Sequence, residues 1–123
     1  AKALDGSTPA YYKFDADPRR WIVFLQGGGW CYNEELCAAR ANTSLGSSSS
    51  FGPTFTPSYE GGNGLLSNDC AVNPGFCNFS MIYARYTDGA SFSGHKQDPV
   101  SVNGQKIWFR GHPTLQAILT DLF

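Results

Sequence analysis

Three consecutive glycines, Gly27, Gly28 and Gly29, separate the apolar run Trp21-Ile-Val-Phe-Leu25 from the pair Trp30-Cys31. Glycine has no Cβ, so at the end of a strand it lets main-chain N–H groups approach a ligand closely. Adjacent donors of that kind suit an oxyanion hole, which stabilises the charge that builds on a carbonyl oxygen during acyl transfer. A tight turn closing a core strand would use the same residues. Spacing alone leaves both readings open.

The remaining chemistry-bearing side chains point away from metal or paired-acid chemistry. Cys31/Cys37 and Cys70/Cys77 form two local pairs, as disulfides of an oxidising compartment do. Three connectivities are formally possible. The two local links are favoured because each closes a short loop, contributing about 2–3 kcal/mol by the chain-entropy estimate and fixing loop shape. Zinc is the competing use, but neither spacing is Cys-x-x-Cys, and His95 and His112 stand in no ligand pattern. No metal or other cofactor is expected. Both histidines read as solvent-exposed. Glu34/Glu35 and Asp15/Asp17 read as solvated loop, since glycoside hydrolysis needs carboxylates facing each other across a sugar. The sequons Asn42-Thr43-Ser44 and Asn78-Phe79-Ser80 are candidate glycosylation sites. With the cysteines they favour a secreted, extracellular protein, of cell wall or matrix, over a cytosolic one.

At 123 residues with 41% hydrophobic and 15% aromatic side chains, the chain should fold as one domain of modest size rather than stay disordered. A net charge of −1 without any basic run lacks the electrostatic footprint of a nucleic-acid or anionic-membrane partner. The run Trp21 to Leu25 falls far short of the ~20 apolar residues that span a bilayer.

Several elements must position the glycine turn. Trp21 to Leu25 predicts a buried strand, and the apolar stretch within Asn78 to Tyr86 predicts a second. Ala1 to Leu4 and Ala10 to Phe14 flank the turn formers Asp5 to Pro9 and read as a β-hairpin. Residues 41–67, with Ser47 to Ser50, two prolines and Gly61-Gly62-Asn63-Gly64, read as a long loop, either edging a pocket or simply flexible. From Pro113 onward, Leu115, Ile118, Leu119 and Leu122 follow a helical period, with proline at a suitable first position.

The stretch LQGGGWCYNEELCAARANTSLGSSS (residues 25–49) resembles the pectin acetylesterase and Notum carboxylesterase family, in which a strand, a Gly-Gly-Gly-Trp-Cys turn and a Cys-closed loop occur in this order. Ala3 to Tyr12, Ala84 to Gly94 and Ile107 to Phe123 agree with the same family, so the likeness runs almost end to end. It implies an α/β fold, the N-terminal portion of an α/β-hydrolase-like sheet, within one domain that residues 1–123 do not complete. It also implies ester hydrolysis by a Ser, His and Asp triad through an acyl-enzyme. No Gly-x-Ser-x-Gly elbow is present, because Gly89-Ala90-Ser91-Phe92-Ser93 breaks the pattern at its last position. The triad is therefore expected from the remainder of the domain or from a second chain.

On this resemblance Gly28 and Gly29 supply the backbone donors of the oxyanion hole, and Trp30 lines the pocket or packs in the core. Asp88, Gly89 and Ser91 match a family segment near the pocket, where they either bind substrate or hold a turn. Gly29 stands where the Notum branch has a bulky residue, which favours acetyl groups on a polysaccharide over a long lipid acyl chain. The rival from another class is a non-catalytic relative, a carbohydrate-binding or structural subunit of an extracellular assembly.

Overall fold

Phe79–Ala84 is an almost unbroken apolar run, and it becomes the strand covered on both sides. The computed structural model describes residues 1–55 and 64–123. Its elements are β1 (Tyr11–Phe14), β2 (Asp17–Leu25), α1 (Glu34–Arg40), β3 (Phe79–Ala84), β4 (Val100–Val102), β5 (Gln105–Ile107) and α2 (Gly111–Leu122). They fall into two compact units: Tyr11–Gln26 with Gly52–Ala84, and Ala1–Ala10 with Gly27–Phe51 and Arg85–Phe123.

The first unit is a three-stranded sheet in the order β1-β3-β2. β3 pairs antiparallel with β1, Tyr11 opposite Ala84, and parallel with β2, Leu25 opposite Ala84. The β2 register shifts between Asp17 and Trp21. Buried Ser80 serves that bulge: its hydroxyl accepts the Ala16 amide and donates to the Asp17 carbonyl, both at 2.9 Å. Leu66, Met81 and Tyr83 form the core here, with Tyr12, Ile22, Phe24 and Phe55 packed on it. The predicted strand at Trp21 to Leu25 exists but is not buried throughout. Ile22 and Phe24 face the cluster, while Val23 and Leu25 lie at an edge strand with their sides exposed.

In the second unit Leu4, Cys37, Ala41, Val102 and Ile107 make the core. The predicted N-terminal hairpin does not form. Leu4 is instead threaded between two other segments, its amide donating to the Thr87 carbonyl at 2.9 Å and its carbonyl accepting the Trp108 amide at 3.0 Å. Asp5 still caps the expected turn by accepting the Ser7 amide and hydroxyl. A hairpin absent from the sequence reading, β4–β5, turns on Asn103 and Gly104, whose φ of 50° and 81° meet the left-handed demand of a tight two-residue connection.

Residues read as solvated loop become α1. Asn33 caps it by accepting the Leu36 amide at 2.8 Å, and Glu34 and Glu35 complement its N-terminal dipole. Asp17, read the same way, opens β2 and pairs with Arg20 at 2.8 Å. α2 starts two residues before Pro113 and buries Gly111, Thr114 and Ile118. Of the predicted apolar stripe only Ile118 is fully covered. Residues 41–55 and 64–67 hold turns without helix or strand, and the rest of the predicted loop lies outside the described residues. Among the described residues no helix is long and apolar enough to cross a membrane.

Candidate oxyanion site

The glycine turn leaves β2 and enters the second unit with two residues in conformations that favour glycine: Gly28 at φ 152° and Gly29 at φ 74°. A Cβ at Gly28 would sit 2.9 Å from Leu45 Cδ2 and 3.3 Å from Tyr86 Cδ2, so the turn has no room there either. Gly27, Gly28, Gly29 and Trp30 are all solvent-exposed. Among the described residues the Gly28 and Gly29 amides donate to no internal acceptor. The Gly29 carbonyl accepts from Arg40 Nη1 at 2.6 Å and from the Tyr86 hydroxyl at 2.7 Å.

Trp30 is 68% exposed, so it does not pack in the core of this unit. Its indole Nε1 donates to Ser91 Oγ at 2.6 Å, which joins the glycine turn to the loop at 88–93. The Tyr86 hydroxyl also accepts the Ser91 amide at 3.1 Å. Gly28, Gly29, Trp30 and Ser91 are thus brought together.

Asp88 holds that loop from inside. It is buried, and its carboxylate accepts the Phe92 amide at 2.9 and 3.2 Å and the Ala90 amide at 3.3 Å. Ser91 and Phe92 both take positive φ, 51° and 61°, a conformation non-glycine residues adopt only when surroundings impose it. Burial pushes the Asp88 carboxyl above its ordinary value, opposed by the Phe92 and Ala90 amides and the charge of Arg40. A Cβ on Gly111, the first residue of α2, would collide with this carboxylate.

Disulfides link Cys31 to Cys37 and Cys70 to Cys77. The first ties α1 to the residue after Trp30, and Arg40, one turn beyond Cys37, then reaches the Gly29 carbonyl. Asn42 and Asn78 are exposed, as are His95 and His112, whose rings lie 5.5 Å apart. Arg40 and Tyr86 carried no predicted role. Arg40's helical spacing from Cys37 was the available signal. Tyr86 read as the end of a core strand.

This architecture is of the α/β-hydrolase type. It superposes on a solved structure of the Wnt deacylase Notum from Drosophila with a TM-score of 0.84 and 26% identity, over 98% of this chain and 34% of that one. Residues 1–123 match the pectinacetylesterase family (PAE), and the chain belongs to it. Pectin acetylesterase 5 of Arabidopsis thaliana is 40% identical over 125 residues, spanning 99% of this chain and 28% of its own length. The palmitoleoyl-protein carboxylesterase NOTUM of Mus musculus is 38% identical over 121 residues, 96% of this chain and 22% of its own. The chain thus spans less than a third of these curated relatives.

Proposed function

We propose that residues 1–123 are the N-terminal part of a single α/β-hydrolase-like domain that hydrolyses carboxylic esters, with this chain supplying the oxyanion hole. One observation carries the reading: the Gly28 and Gly29 amides are exposed and have no internal acceptor among the described residues. Amides held ready in this way stabilise charge on a tetrahedral intermediate without reorganising. The Ser, Asp and His of the triad belong to the remainder of the domain, or to a second chain.

The substrate is an acetylated extracellular polysaccharide. Gly29 leaves open space where a Cβ would have only the Arg40 Nη2 atom at 3.9 Å, and the next residue, Trp30, is exposed and hydrogen-bonded to Ser91. The two disulfides and the exposed Asn42 and Asn78 favour a secreted protein. Relatives named as esterases give the non-catalytic rival no support. The test is release of acetate from acetylated pectin by the full-length protein, together with serine labelling by a fluorophosphonate. Absence of both acetate release and serine labelling would refute the reading.

A further inference from the structure

The Gly29 carbonyl accepts hydrogen bonds from two strong donors, Arg40 and Tyr86, while the Gly28 and Gly29 amides donate to no acceptor among the described residues. We propose that Arg40 and Tyr86 are positioning residues for the oxyanion hole, acting together as a clamp on this carbonyl; the inference rests on the ester-hydrolase reading above.

Each donor comes from a part of the unit that is itself anchored. Arg40 ends α1, which the Cys31–Cys37 disulfide ties to the residue after Trp30. Tyr86 is 1% exposed, and its ring packs beside Phe92 at a centroid distance of 5.6 Å. The same ring borders Gly28, where a Cβ would come within 3.3 Å of it. Tyr86 therefore touches both residues of the turn, with its ring at one and its hydroxyl at the other. Because φ at Gly29 is +74°, two free glycine torsions would otherwise let the amides swing away. Holding this carbonyl fixes the Gly29–Trp30 peptide, and packing against Leu45 and Tyr86 restricts Gly28, so the Gly28–Gly29 peptide that carries the Gly29 N–H is bracketed between two held points and its rotation is limited. A charge-assisted bond from Arg40 is the stronger half of the clamp.

Oxyanion stabilisation depends on donors fixed before the charge appears, so loosening them lowers turnover rather than ground-state binding. The experiment compares Tyr86→Phe, Arg40→Met and Arg40→Lys in the full-length protein with p-nitrophenyl acetate. Tyr86→Phe keeps the ring on Gly28 and should fold. Tyr86→Phe and Arg40→Met should each lower kcat by roughly 10-fold with KM changed less than about 2-fold, as for an interaction used mainly in the transition state. Arg40→Lys, which keeps a cationic donor, should recover part of that loss. Fluorophosphonate labelling should slow in parallel.

If Tm falls while kcat stays at the wild-type value, the two residues are structural only and the clamp is wrong. A rise in KM at unchanged kcat would make them substrate contacts and would also overturn it. An inert wild-type protein would instead refute the underlying esterase reading, and the clamp with it, so the two failures are told apart.

Discussion

The buried carboxylate of Asp88 accepts the main-chain amide of Phe92 at 2.9 Å through Oδ2 and 3.2 Å through Oδ1, holding a loop in which Ser91 and Phe92 both have positive φ. Removing the acceptor should release that strained loop and the Ser91 hydroxyl that meets Trp30. Asp88→Ala should cost about 1–3 kcal/mol, the usual penalty for a buried donor left without a partner. Chemical denaturation of the wild type and variant measures it.

The same carboxylate gives a pH dependence with a defined sign. Burial raises its folded-state pKa above the 3.8 of the ordinary group, so the folded protein holds this proton more tightly than the unfolded chain. The contribution is full below the unfolded pKa and is lost as pH rises through the folded pKa. Asp5 and Asp17 shift the opposite way, Asp17 chiefly through the Arg19 amide, so the whole-protein profile mixes both signs. The difference in Tm between wild type and Asp88→Asn isolates Asp88. Wild type should lose ground to the variant as pH climbs above 3.8.

Gly28→Ala places a methyl group 2.9 Å from Leu45 Cδ2 on a backbone at φ 152°. The turn must tilt, and both donors tilt with it. Loss of one oxyanion donor lowers kcat by about 10²–10³-fold, and Gly28→Ala should fall in that range. Steady-state kinetics with an unchanged far-ultraviolet circular dichroism spectrum is the check.

Gly89→Ala should damage stability instead. Gly89 has φ 72°, and a Cβ there would strike the Cys31 sulfur. Strain of this kind costs about 1–3 kcal/mol before any overpacking. Calorimetry should register a lower Tm, and in the wild-type background the Cys31–Cys37 double alanine variant should separately lose about 2–3 kcal/mol, as for so short a closed loop.

The sequence carried the family likeness, β3, the open glycine turn and the helix near the end of the chain, since each rests on a local pattern. What it did not carry was set by long-range pairing. Ala3 and Leu4 look like the arm of a hairpin, yet Ala3 bonds locally to Ser7 and Gly6, and the Leu4 amide and carbonyl are taken by Thr87 and Trp108 far along the chain. β2 read as fully buried because five apolar residues in a row do not reveal which face lacks cover. Two misses were legible. Asn33 followed by two glutamates is a helix start, and Asn103-Gly104 between valine-rich and isoleucine-bearing runs is a hairpin turn. Tyr86 was not legible at all, because no local signal distinguishes a core tyrosine from one whose hydroxyl also bonds the carbonyl of a glycine turn.

The most direct measurement is a crystal structure of the full-length protein after reaction with a fluorophosphonate. The phosphonyl oxygen on the labelled serine should lie about 2.7–3.1 Å from the amide nitrogens of both Gly28 and Gly29. A labelled serine whose oxygen is held by other donors, with these two amides facing bulk water, would contradict the assignment.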